Sequence, residues 1–82
     1  MNADRILSIA TIYSGAVAAT DGGQPSGHLY ALLGMGLGAS LDEHNAAVTA
    51  LSNAGLVDEK NHLVTWTGPD DLRHELVAAM EN

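Results

Sequence analysis

Apolar positions recur at helical spacing in four stretches of this chain and give way to a β-branched, aromatic run in one. Ile6, Ile9, Ala10, Tyr13 and Val17 form a stripe that Leu7 and Ile12 widen, which predicts a helix over 3–19. Gly15 and Ala19 lie four apart and leave room for another helix to approach closely. Thr20 to Gln24 reads as a turn. A second helix is expected over 26–36, with Ser26 as its N-cap. Leu29, Leu32, Leu33 and Gly36 share one side of it, and Tyr30, Met35 and Leu37 cover much of the rest. A helix apolar nearly all round is expected at the centre of a fold. Gly34, Gly36 and Gly38 then weaken and end it, because interior glycine is a poor helix former.

The third helix, over 40–53, has the clearest start. Ser40 followed by Glu43 is a capping box, in which hydroxyl and carboxylate satisfy each other's backbone amides. Leu41, His44, Val48 and Leu51 give its inward stripe, and Gly55 suits the left-handed residue that closes it. Leu56-Val57, a turn at 58–61 and the run His62 to Thr67 predict a hairpin across 56–66. Pro69 opens a final helix over 69–80, with Asp70 and Asp71 favourable to its dipole. Leu72, Leu76, Ala79 and Met80 are its expected inward face. With no repeat and no linker, residues 1–82 read as one domain. Its class is mainly α with a small β-hairpin (α+β), about four helices plus a two-stranded hairpin. Ile6, Ile9, Leu29, Leu33, Val48, Leu51, Leu56, Val64 and Leu76 are the expected core.

At 82 residues the chain is too short for a doubly wound sheet, and its core must be small. Charge alters the picture more than length. Ten acids against three bases give a net charge of −7, and no Lys or Arg occurs between Arg5 and Lys60. Such a surface repels phosphate backbones and anionic membranes. The absence of cysteine removes disulfides and thiol chemistry and suits a reducing, cytoplasmic location. The stretch from Ile6 to Ala19 is nearly uncharged, but polar residues interrupt it. It also falls short of the roughly 20 apolar residues a membrane span needs. A core helix, neither signal peptide nor anchor, is the expectation.

Candidate chemistry is sparse. Gly34, Gly36 and Ala39 fit the spacing of a dinucleotide loop, with Asp58 and Glu59 downstream. Such a loop must follow a strand, whereas this one follows a helix, and Asp42 and Glu43 sit where phosphate would lie. It reads as a turn between helices. His28, His44, His62 and His74 form no H-x-x-x-H pair and have no cysteine beside them, so no metal site is expected. His44 belongs to the inward stripe and is expected to be partly buried with a local hydrogen bond. The serines lack a nucleophile context, and the acidic pairs are adjacent, so on helices their side chains diverge. No cofactor and no enzymatic activity are expected.

The stretches "SLDEHNAAVTALSNAGLV" (40–57) and "HLVTWTG" (62–68), preceded by "PSGHLYALL" (25–33), carry a resemblance. Their order resembles the winged helix-turn-helix superfamily, in particular regulators of the multiple-antibiotic-resistance repressor type and small phage or prophage winged-helix proteins. The resemblance implies that helix 40–53 is a recognition helix and that the hairpin is a two-stranded wing. DNA-reading helices present Arg, Lys, Asn or Gln. Here the outward positions are Asp42, Glu43, Ala46, Thr49, Ala50 and Asn53, and Lys60 is flanked by Asp58 and Glu59. The expected function is therefore a non-enzymatic protein-binding module. In it Asp42, Glu43, Asn45, Asn53, Asp58 and Glu59 meet a partner with a basic surface. A small phage-type inhibitor that mimics DNA in a partner's nucleic-acid groove fits this pattern. The alternative is a dimeric transcriptional regulator contacting DNA through Asn45, Thr49, Asn53 and Lys60. Surplus apolar surface on the first helix, with Val77 and Met80 on the last, points to a homodimer.

Overall fold

The computed structural model describes residues 2–81, with side chains described through Ala79. Helix α1 spans Ala3–Ala18, strand β1 Gln24–Pro25 and helix α2 Ser26–Leu29, which continues as a π turn over Tyr30–Gly34. Helix α3 spans Leu41–Asn53, strand β2 Val57–Lys60, strand β3 Leu63–Trp66 and helix α4 Asp70–Glu81. The α+β class and the positions of the long helices match the sequence expectation. No described helix is long and apolar enough to cross a membrane.

The central element is α1, not the second helix. Its N-cap Asn2 accepts from the amides of Asp4 and Arg5 at 2.9 and 3.4 Å. Ile9, Tyr13 and Val17 are fully enclosed by α3, the sheet and the π segment. Gly15 is buried on another side, where Ile12, Leu76 and Ala79 border the junction with α4. Ala19, the other residue of the expected spacing, is exposed at the C-cap of α1, so of the pair only Gly15 is buried at this junction. Arg73 of α4 locks this junction, donating from Nε to the Ala18 carbonyl at 2.7 Å and from Nη2 to Asp21 at 2.7 Å. On α4, Leu72, Leu76 and Val77 are half-buried and Ala79 is exposed, while the side chain of Met80 lies outside the described residues.

The second helix departs most from expectation. The amide of Met35 reaches back five residues to the Tyr30 carbonyl at 2.7 Å, a π-type bond. Leu29 and Gly34, five apart, are buried, Leu33 is half-buried, and Leu32 and Met35 stand in solvent. Gly34 explains the widened turn. A Cβ there would lie 2.5 Å from the Tyr13 hydroxyl and 2.9 Å from the Tyr30 ring, so only bare backbone fits. Ser26 does not cap α2. Pro25 holds the N-cap position, and the Ser26 amide donates to the His62 carbonyl at 2.7 Å.

That bond continues a pairing the sequence did not announce. Strand β1 lies antiparallel to β3, with Gln24 opposite Val64 and Pro25 opposite Leu63, so the sheet has three strands in the order β1-β3-β2. Pro25 is tolerated because β1 is an edge strand. The hairpin turn is also shifted. Asp58, Glu59 and Lys60 continue β2, and the reversal falls on Asn61 and His62, at φ 54° and 65°. Two successive left-handed residues make the type I′ geometry that matches strand twist.

Local signals fared better at α3. Ser40 and Glu43 form the full capping box, at 3.1 and 2.9 Å. At the other end Gly55, at φ +78°, donates to Ser52 while Leu56 donates to Leu51, which is a Schellman closure. Leu51, Val48, Val57 and Val64 complete the core with Ala47, and Ile6, Leu33, Leu56 and Trp66 pack at its margin. Leu41 is exposed, so the inward stripe of α3 begins at His44.

Candidate functional site

With His44, Ala47, Val48 and Leu51 turned into the core, the helical period directs the opposite residues of α3 outward. Asp42, Asn45, Thr49 and Asn53 line one open depression of about 520 Å³. Ala46 and Ala50 give it a small apolar floor, and Ile6 of α1 borders it. The face has a carboxylate at one end, carboxamides at the middle and the far end, and a hydroxyl between them. It can accept charge-assisted hydrogen bonds and exchange neutral ones.

Glu43 does not belong to this face. Its Oε1 accepts from the Ser40 amide, and its Oε2 accepts from Arg5 Nε at 2.5 Å. The Ser40 amide first, and then Arg5, hold its carboxyl below the usual range. Arg5 Nη2 also donates to the carbonyls of Leu37 and Gly38, at 3.0 and 2.6 Å. One guanidinium thus ties the start of α1, the loop after the π turn and the cap of α3. Asp58 and Glu59 are exposed on β2, but alternation places them on opposite faces of the sheet. Glu59 pairs across from buried Val64 and acts electrostatically on His44, whereas Asp58 pairs with Thr65. The six acidic and amide residues named from the sequence therefore divide. Asp42, Asn45 and Asn53 share one surface, Glu43 is held in a clamp, and Asp58 and Glu59 are split across the sheet. Thr49 joins the first group, and Lys60 lies near the hairpin tip, outside the depression.

The glycine-rich stretch offers nothing to a phosphate. The amides of Met35, Leu37, Gly38 and Ala39 all donate to carbonyls of residues 30–35. The Leu37 and Gly38 carbonyls face a guanidinium, the reverse of an anion cradle.

Sequence reasoning missed one polar pair. His44 is 3% exposed, and its Nδ1 lies 2.7 Å from the hydroxyl of fully buried Tyr13, a partner on another helix. Tyr30 tilts over the same imidazole with its ring centre 5.1 Å away. Burial pushes the Tyr13 phenol up to about 12, with Tyr30 adding to the effect. Burial also holds His44 below its ordinary value, against the pull of Glu59. The signal was present as two polar tips, each on the inward stripe of a helix and each needing a buried partner. The other three histidines are exposed, and no cluster of three or more metal-ligating side chains occurs among the described residues. Comparison of the chain with family models, curated proteins and solved structures gives no match.

Proposed function

We propose that the protein is a non-enzymatic protein-binding module whose α3 face, formed by Asp42, Asn45, Thr49 and Asn53, receives a basic surface of another protein. One observation carries this reading. Arg5 and Arg73 are both turned onto carbonyls and carboxylates of the fold itself, so among the described residues Lys60 is the cation in no ion pair. The outward field is therefore anionic, which speeds encounter with a basic partner and selects for it. A nucleic-acid-binding groove is such a partner, and occupying it would make the chain an inhibitor that excludes DNA or RNA. A winged helix-turn-helix architecture fits this proposal, with α3 as the helix that would otherwise read DNA. Its support is the order of α2, α3, hairpin and α4.

The test is capture of partners from the source cell by the full chain, beside an Asp42→Lys/Asn45→Lys variant. These exposed substitutions leave the Glu43 clamp in place. The expected result is retention of a basic protein by the native chain, with an association rate that falls as salt rises and falls sharply in the variant. Equal retention by both proteins would refute the site. Because Asn45, Thr49 and Asn53 share an exposed face, a regulator that reads operator DNA through them and Lys60 is the second reading. Submicromolar binding to duplex DNA at physiological salt would establish it in place of the first.

A further inference from the structure

The buried pair of Tyr13 and His44 has room for one proton between its two polar atoms. Tyr13 is fully enclosed, and among the described residues its hydroxyl meets a single hydrogen-bond partner, Nδ1 of His44 at 2.7 Å. An enclosed hydroxyl needs an acceptor, so Tyr13 donates and the neutral imidazole accepts. A proton added at Nδ1 sets two donors against each other. The imidazolium then takes the phenol oxygen as its acceptor, and the displaced phenol hydrogen has no second acceptor in the closed fold. The closed fold therefore disfavours a charged His44 by geometry as well as by burial.

The π turn covers this pair. Tyr30 sets its ring centre 5.1 Å from the imidazole, and the bare backbone of Gly34 packs beside the Tyr13 hydroxyl. Helices α1 and α3, which carry the pair, contribute Ile9, Val17, Ala47, Val48 and Leu51 to the common core. From Ser26 to Gly38 only Leu29 and Gly34 are buried, while Leu32 and Met35 stand in solvent. The cover is thus the least anchored of the elements around His44. The titratable groups that face the imidazole are Tyr13 from α1, Tyr30 from the π turn and Glu59 from β2. Glu59 favours the charged ring, but burial opposes it more strongly. Glu43, beside His44 on α3, is taken by Arg5. Water reaching the ring would relieve both the burial and the clash of donors.

We propose that protonation of His44 lifts the π segment, Tyr30–Gly34, from α1 and α3, so that the Tyr13–His44–Tyr30 cluster is an acid-operated latch. Bonds at either side keep the opening local: Arg5 holds the carbonyls of Leu37 and Gly38, and the Ser26 amide donates to His62. In the open form the imidazole meets water and titrates at its ordinary value. Opening therefore rises by about tenfold per pH unit below about pH 6.5, and levels off beneath the lower value of the closed form. Global unfolding responds to the same proton, but it releases α3 and the hairpin as well.

Native-state amide exchange of the full chain between about pH 7.5 and about pH 4.5, corrected for intrinsic rates, reads this opening residue by residue. The informative amides are Met35, bonded to the Tyr30 carbonyl, and Ala39, bonded to the Gly34 carbonyl. Their protection should fall by about tenfold per pH unit on acidification, while α3 and the hairpin stay protected and Trp66 fluorescence holds. His44→Gln should make their protection independent of pH across the range. A second readout needs no variant: in NMR spectra the His44 ring and the Gly34 amide should titrate with one shared midpoint. The latch is overturned if Met35 and Ala39 keep constant protection in the native chain, or if the two midpoints differ. Equal loss in α3 and the hairpin at every pH overturns it in favour of global unfolding. A pH dependence that survives His44→Gln overturns it in favour of a carboxylate such as Glu59.

Discussion

Gly34→Ala should be among the most damaging single-methyl changes in this protein. Outside the core, an added methyl at a helical glycine is favourable by up to about 1 kcal/mol. At Gly34 the new Cβ would stand 2.5 Å from the Tyr13 hydroxyl and 2.9 Å from Tyr30 Cδ1. Tyr13 is fully buried and bonded to His44 at 2.7 Å, so its oxygen retreats only by breaking that bond. Forcing extra volume into a packed core costs about 1–3 kcal/mol. Leaving a buried donor or acceptor unpaired costs about 1–3 kcal/mol more. Set against the helical gain, the net loss is about 1–5 kcal/mol, or a fall in Tm of about 5–40 °C for a domain of this size. Urea unfolding followed by the fluorescence of Trp66, the single tryptophan, measures it directly. Gly27→Ala is the internal control, because a Cβ there meets nothing within 4 Å, and it should be neutral or stabilising. Tyr13→Phe removes the oxygen in the way, so Gly34→Ala should cost less in that background. Equal or higher stability of Gly34→Ala in the native background would refute the account of the π turn.

Three further outcomes follow from the same packing. Leu51→Ala, at a side chain only 7% exposed between α3 and the sheet, should cost about 2–5 kcal/mol in urea titration and leave much of so small a domain unfolded. His44 has a folded pKa below its unfolded value of about 6.5, so on acidification the unfolded chain takes up a proton that the folded chain refuses. Stability should therefore be complete above about pH 6.5 and fall as pH drops from there towards the lower folded value. The urea midpoint against pH should show this slope, and His44→Asn should flatten it. Arg73→Ala removes bonds to Ala18 and Asp21, and should raise amide exchange in α4 and at the end of α1 while α3 and the hairpin stay protected. Uniform loss of protection would mean that α4 docks by other contacts.

The sequence revealed those parts of the fold that are decided within about one helical turn. The α3 cap and its Schellman closure lie within a few residues of their own partners, and so were visible. The outward set Asp42, Asn45, Thr49 and Asn53 follows from period alone once the inward stripe is known. What stayed hidden depends on distant chain. Strand β1 is two residues long, contains a proline and exists only because β3 supplies its partners. The bare backbone of Gly34 in the π turn packs beside a Tyr13 hydroxyl that lies more than a dozen residues before it in the chain. The hairpin turn was displaced because three consecutive charged or polar residues looked like a loop, yet an exposed edge strand favours charge as protection against further pairing. Glu43 was placed on the contact surface because its capping role uses one oxygen. The other is held by Arg5, a residue 38 positions away.

The two arginines show why an acidic exterior is tied to this fold. Each guanidinium lies where a helical segment ends and its last carbonyls have no amide partner, Arg73 at Ala18 of α1 and Arg5 at Leu37 and Gly38 beyond the π turn. Cations are favoured at such ends, where the helix dipole is negative, and Arg serves several acceptors at once. Each arginine also bridges elements far apart in sequence, so turning outward to meet a phosphate would break bonds that tie those elements together. Lys60, flanked in sequence by Asp58 and Glu59, cannot supply a positive field alone. Asp42 is bound by neither arginine and stands at the rim of the α3 depression. For this chain to bind a polyanion through Arg5 and Arg73, it would have to give up their bonds to Leu37, Gly38, Glu43, Ala18 and Asp21. Binding a polycation asks for no such change. That asymmetry supports the proposed basic partner for α3.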